Sequence, residues 1–425
     1  MASETANPLI PRQPHFAAKA KRVIFLFMRG GPSQVDTFDY KPALTKRDMQ
    51  PVTDNEKETR KYWQSPWQFR QYGQSGMWVS DLFPHVAQHA DDLCVINSMH
   101  ADVGNHPQAV LQMQTGSFLF PRPSMGAWMI YGLGTENQSL PGFITICPQA
   151  GTGGGARNYG NAFLPAACQG TPILSEGDEL TDDIRLPNTT AKASPRTMDF
   201  VQALNRERLQ RDEVNNDLEG LIQSYELAFR MQTAVPDVME LKGESPHTLE
   251  SYGIGTKETE QFGRQCLLAR RFAEAGVRFI QLNVGRWDNH VDLEPIHGEL
   301  GRATDQPIAA LINDLKQRGM FKETLIVWGG EFGRPPYLNK TKGRDHDHLG
   351  FTMWLAGGGV KGGLNHGSTD EFGYQSVEKK VHLHDFHATI LHLMGLNHEQ
   401  LTYRYSGRDF RLTDVHGRVV TDLLA

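Results

Sequence analysis

Four short runs of this sequence concentrate imidazoles and carboxylates, the side chains that hold divalent metals and carry protons. Ser98–Pro107 contains His100, Asp102, Asn105 and His106, and Arg286–Asp292 contains Asp288 and His290. Glu331 and Arg334 begin a third group, which ends in Asp345-His346-Asp347-His348. The fourth is His382-Leu383-His384-Asp385-Phe386-His387. Nitrogen and oxygen donors without thiolate suit Zn²⁺ or Mn²⁺ better than Mg²⁺ or Ca²⁺. A pair of ions about 4 Å apart would need roughly six or seven such ligands, and the chain has 17 histidines to draw on. Its four cysteines form no CxxC pair, so a thiolate site is not expected.

Each group also has a plainer reading. A lone histidine in a loop is ordinarily a surface or hydrogen-bonding residue. Glu331 can pair with Arg334 as a structural ion pair. His384, Asp385 and His387 can be no more than the first turn of a helix, where Asp favours the dipole. Asp288 with His290, and the run Asp345–His348, stand out because they follow buried strands.

The elements that must position these groups are visible as short apolar runs. Arg22–Met28 (RVIFLFM), bounded by Gly30-Gly31-Pro32, reads as a buried central strand. Leu93–Asn97, Phe143–Ile146, Val277–Leu282, Thr324–Trp328 and Phe351–Ala356 have the same form. Helical patterns over Thr259–Ala275 and Ile296–Arg318 lie between them, and Ser194-Pro195 starts another. Strand, helix, strand predicts an α/β fold, with a mostly parallel central sheet and helices on both faces. In such sheets ligands bind outside the carboxyl ends of the strands, where the polar groups fall.

The sequence divides into an N-terminal tail, 1–20, and a single elaborated α/β domain, 21–425. Insertions are expected at about 45–80, rich in Trp and covering one edge, and at about 151–250. Cys147 and Cys168 flank a Gly-rich loop, and whether they are bridged stays open. A net charge of -6 gives no basic footprint for nucleic acid or an anionic membrane. No segment approaches the roughly 20 apolar residues of a membrane-spanning helix. Nothing in the sequence sets an oligomeric state.

The strings FLFMRGGPSQVDTFDYKP, NSMHADVGNHPQA, WDNH, EFGRPP, GRDHDHLGFTMWLAGGGVKGG, VHLHDFHATILHLMG and YRYSGRDFRLTDVHG resemble a bacterial family known as domain of unknown function 1501. The resemblance runs from about Ala20 to Gly417. That family is grouped with the alkaline-phosphatase/sulfatase superfamily, and its own reaction is unassigned. The resemblance implies a site for one or two divalent metals at the sheet's strand ends and a nucleophile at a helix N-terminus. It also implies export to the periplasm, with a leader absent from this chain, although the residues alone leave the cytoplasm open.

Counting back nine residues from Thr115, at the end of a helix comparable with that of sulfatases, reaches His106 instead of the superfamily's Ser, Thr or Cys. The first strand ends in Met28-Arg29-Gly30, with Asp36 and Asp39 only later, where the superfamily has a metal-binding Asp. Asp288, His290, Glu331, Asp345, His346 and His348 are the ligand candidates, with Asp36, His100, Asp102, Asn105, His384, Asp385 and His387 behind them. His106 is the candidate nucleophile or general acid. Its place at a helix start predicts a mostly neutral ring. Arg334 or Arg29 would contact the transferring oxyanion.

These residues support a metal-dependent hydrolase of phosphate or sulfate esters acting on a small molecule or glycan. Metal there would polarise the ester oxygens and lower the pKa of a bound water towards about 7. The other reading is a non-catalytic metal-containing protein that binds sulfated or phosphorylated glycans.

Overall fold

The computed structural model describes residues 9–52, 60–147, 154–173 and 235–425. The helix expected from Ser194 and most of the 151–250 insertion lie outside those residues.

A nine-stranded sheet forms the core. In chain order its strands are β1 (Arg22–Met28), β2 (Leu93–His100), β3 (Phe143–Ile146), β4 (Thr171–Ile173), β5 (Phe279–Val284), β6 (Thr324–Gly329), β7 (Phe351–Gly357), β8 (Leu364–His366) and β9 (Val381–His382). Across the sheet they run β8-β2-β7-β6-β1-β5-β3-β4, and β9 also pairs with β2. β1 is parallel to both neighbours, with Val23 level with Phe279 and with Leu325. The apolar run of β1 follows from this central place: Val23 to Met28 are all buried, so neither face can carry a polar residue. Only β7 is reversed, antiparallel to β6 and to β2. It separates β2 from the β6-β1-β5 group.

The helices include α1 (His106–Thr115), α2 (Met125–Leu133), α3 (Glu260–Glu274), α4 (Leu293–Gln317) and α5 (Leu383–Leu393). α3 buries Phe262, Cys266, Leu267, Ala269, Phe272 and Ala273, and packs on α4 and β5. That apolar spacing is the helical signal expected over 259–275. Asn105 caps α1, its side chain accepting from the Gln108 amide at 3.3 Å, and Gly116 ends it at φ 70°.

Residues 9–20, expected as a tail, lie against the domain: Leu9 is buried and its carbonyl accepts from Thr135 N. Within the 45–80 segment, Lys61–Tyr62 pairs with Tyr337–Leu338, and Trp63 lies under the Arg344 guanidinium. The segment thus covers the loop after β6. No disulfide joins Cys147 and Cys168; both thiols are buried. Among the described residues no helix is long and apolar enough to cross a membrane.

Candidate metal centre

Three loops bring the site together, from the carboxyl ends of β2, β5 and β6. β5 runs into Gly285-Arg286-Trp287 and delivers Asp288 and His290. The segment after β6 delivers Glu331, Arg334 and His346. The loop after β2 leads into α1, whose first residue is His106.

Gly30, just past β1, makes the close approach possible. It sits at φ 110°, and a Cβ there would lie 2.4 Å from the Asp288 amide. Its own amide donates to both Glu331 oxygens, at 3.0 and 3.1 Å.

His106, Asp288, His290 and His346 form one group whose ligand atoms all lie within 4.8 Å of one another. Nε2 of His290 faces Nε2 of His346 at 2.8 Å. Asp288 Oδ1 is 3.0 Å from His290 Nε2 and 3.3 Å from His346 Nε2, while its Oδ2 is 3.0 Å from His106 Nε2. The second nitrogen of each ring is anchored elsewhere. His106 Nδ1 faces Glu331 at 2.6 Å, His290 Nδ1 faces Asp345 at 3.1 Å, and His346 Nδ1 faces the Gly104 carbonyl at 2.8 Å. With protons on Nδ1, all three Nε2 lone pairs turn toward Asp288. Anchoring of the far ring nitrogen by carboxylate or carbonyl is the usual setting of a metal-ligating histidine. The Nε2 of His106 is buried, with the Asp288 carboxylate as its neighbour at 3.0 Å.

The donor set, three imidazoles and one carboxylate, therefore fits a divalent cation. Side-chain exposures of 40% for Asp288 and 38% for His290 leave one side open to solvent.

Electrostatics in the metal-free site point the same way. Burial alone would raise the Asp288 carboxyl, but hydrogen bonds from His106 and His346 and the Arg334 guanidinium hold it far below the ordinary carboxylate range. Burial opposes protonation of His106, yet the Asp288 and Glu331 carboxylates outweigh it and lift its pKa to about 9. The neutral ring expected from the helix start is thus corrected for the metal-free protein: two carboxylates at contact distance outweigh a helix dipole.

Several candidates have other surroundings than the sequence suggested. Glu331, fully buried, holds His106 and Gly30 and is not in the converging group. Asp345 likewise faces His290 Nδ1. His348 packs behind Gly104, and burial lowers its pKa. Arg334 is fully buried; its guanidinium donates to Asp288 Oδ1 at 2.7 Å and to the carbonyls of Gly30, Gly31 and Arg344. No edge of that fork is left for an oxyanion, so Arg334 positions Asp288. Arg29 is half-buried near Glu331, and burial lowers its pKa. His106, read as nucleophile or acid, has its Nε2 among the ligand atoms.

The secondary candidates fall outside the group. Asp36 is fully buried in an ion pair with Arg344, at 2.8 and 3.1 Å. Asn105 caps α1. Asp385 caps α5, accepting from the His382 amide at 3.2 Å. His387 is fully buried with Nε2 at 2.8 Å from the Met113 carbonyl, and its pKa is pushed down to about 3 by burial. His100, Asp102 and His384 gather around His382: its ring meets the His100 ring at 5.1 Å and Asp102 at 3.2 Å. The residues missed as anchors carried one usable signal. Carboxylates outnumbered what one ion can take, and the surplus beside a ligating histidine belongs on its far nitrogen.

Among curated proteins none matches the sequence. Solved structures that resemble the chain include Ps i-CgsB in complex with a neocarrahexaose, at 12% identity and TM-score 0.40, covering 88% of this chain and 72% of that one. They also include the PsFucS1 sulfatase from Pseudoalteromonas sp., at 11% identity and TM-score 0.38, covering 90% and 68%. The alkaline phosphatase of the Antarctic bacterium TAB5 aligns at 10% identity and TM-score 0.35, covering 88% and 98%. Nothing about this chain's chemistry follows from likeness that distant. The DUF1501 family, described as proteins of unknown function, matches residues 20–424, and the chain belongs to it.

Proposed function

We propose that this protein is a divalent-metal-dependent hydrolase of phosphate or sulfate esters. The observation that carries the reading is the convergence of three anchored imidazoles and Asp288 on one point open to solvent. A divalent cation bound there would supply Lewis-acid polarisation of an oxyanion ester and activation of water. The chain's own residues do the rest. Glu331, Asp345 and the Gly104 carbonyl fix the rings, and Arg334 fixes Asp288. One carboxylate among three neutral imidazoles leaves a cationic centre when the ion is in place, which favours an anionic ester. Arg29, half-buried near Glu331, is the candidate for contact with the oxyanion. Because His106 serves as a ligand in this scheme, water is the attacking group.

The other reading, a non-catalytic metal protein that binds sulfated or phosphorylated glycans, draws on one observation. The first turn of α1, His106-Pro107-Gln108, offers no hydroxyl or thiol.

Elemental analysis of metal-reconstituted protein, followed by assay on aryl phosphate, phosphodiester and aryl sulfate, tests both. The hydrolase reading expects near-stoichiometric metal and turnover of at least one ester. His290→Ala should lower metal content and cut turnover on the order of 10²-fold or more, with the fold intact. A fully loaded parent that hydrolyses none of the three would overturn the hydrolase in favour of the binding protein.

A further inference from the structure

A cavity of about 590 Å³ lies beside the loop and helix that carry His106. Asp102 and Gln112 line it, while Gly104 and His106, from the same loop and helix, serve the metal ligands. Gln112 is six residues beyond His106 on α1, about 9 Å along the axis at 1.5 Å per residue.

The cavity's charges are unevenly satisfied. Its carboxylates are all engaged. Asp385 accepts from the amides of His382 and Arg418, Asp102 from Gln112 with His382 alongside, and Asp414 pairs with Arg408. Among the described residues, Arg122 has no carboxylate within ion-pair distance. It lies over the Phe410 ring at 4.1 Å, and Arg408 lies over the same ring at 4.8 Å. Of the two, Arg408 is already neutralised by Asp414, so among the described residues Arg122 is the cation of this pair with a charge-assisted contact still to make. Arg411 lines the same cavity.

A second observation is independent of these cations. His384, only 6% exposed, lines the cavity, and its buried Nδ1 has no hydrogen-bond partner. Gln112, Thr115 and Ser117 add hydrogen-bonding groups, and Leu119 and Phe120, 65% and 61% exposed, form an apolar rim. Guanidiniums, neutral hydrogen-bonding groups and an apolar rim together suit an anionic group carried on a sugar-like body.

We infer that this cavity is a second anion subsite, which holds a sulfate or phosphate group of the substrate remote from the group at the metal centre. The substrate is then a polyanionic saccharide bearing at least two such groups. Assigning the first of them to the metal centre rests on the hydrolase reading; the subsite itself does not.

Calorimetric titration of the metal-loaded protein tests it, with a disulfated disaccharide against its monosulfated form and a sugar bisphosphate against its monophosphate. The parent should bind one of the doubly charged probes about tenfold or more tighter than its singly charged partner, the scale of one charge-assisted contact. The preferred pair tells sulfate from phosphate. Arg122→Ala should erase that preference, and Arg122→Lys, which keeps the charge but not the planar fork, should restore part of it. If Arg122→Ala does not fold, Arg411→Ala is read in its place. Combined with His290→Ala, Arg122→Ala should still weaken binding of the doubly charged probe, because the subsite needs no metal. Equal preference in the parent and Arg122→Ala proteins overturns the subsite, whatever the ester assays show. An Arg122-dependent preference in a parent that hydrolyses no ester keeps the subsite and removes the hydrolase.

Discussion

An imidazole offers two nitrogens, and at this centre the two have different duties. Nε2 of His106, His290 and His346 faces Asp288, while each Nδ1 is held from behind. The Glu331 carboxylate holds the most buried of the three, so it is the sharpest place to separate anchor from ligand. Glu331→Gln should lower metal affinity about 10–100-fold while the protein stays folded, read by competition with a chelating dye. Affinity equal to the parent's would return Glu331 to a purely structural role. Protonation gives a second check. The His106 pKa is raised from 6.5 to about 9 in the metal-free protein, so its contribution to stability is complete below about 6.5 and lost as pH climbs through about 9. Urea midpoints of chelator-treated protein should fall between those values, and metal added at pH 7 should displace about one proton. A flat midpoint across that window would sink the assignment. The residue types and their strand-end location were legible in the sequence. The split into ligands and anchors was not, because it depends on which ring nitrogen faces inward. That is set by the meeting of three chain segments and not by spacing within any one of them.

At the scale of elements, the apolar runs announced their strands well. β1 and β6 begin where expected, while β5 starts two residues later, at Phe279, because Val277 and Arg278 still belong to the turn after α3. The reversal of β7 was hidden, since a strand buried on both faces carries the same apolar run in either direction. That strand puts β2 two positions from β6, roughly 10 Å at the usual inter-strand spacing, so the loop after β2 and the start of α1 must reach back to bring His106 to Glu331. Gly30 guards the other approach. Gly30→Ala combines a φ of 110° with a Cβ placed 2.4 Å from backbone, so the β1 and β5 loops must part. Strain of at least about 1–3 kcal/mol is expected, together with weakened metal binding, because Asp288 moves with that backbone. Unchanged melting temperature and metal content would show that the loops yield freely.

For the whole molecule, the candidate ligands come from distant parts of the chain: His106 early, Asp288 and His290 late, His346 later still. No fragment holds the centre by itself. The central strand has the same property in a stronger form. β1 ends at Met28, yet both of its neighbours, β5 and β6, lie beyond residue 278. At synthesis rates of about 5–20 residues per second, RVIFLFM waits roughly 12–50 s for a partner. During that interval it is an apolar, Pro-free segment with high β-propensity, the kind that pairs with a neighbouring nascent chain. Chains truncated before Phe279 should therefore be insoluble when expressed, and an intact yield should rise with holdase chaperones or slower, cooler synthesis. Soluble truncated chains would show that β1 finds a substitute partner. The order in which ribosomes deliver this sheet makes its most protected strand, once folded, an exposed one while it is being built.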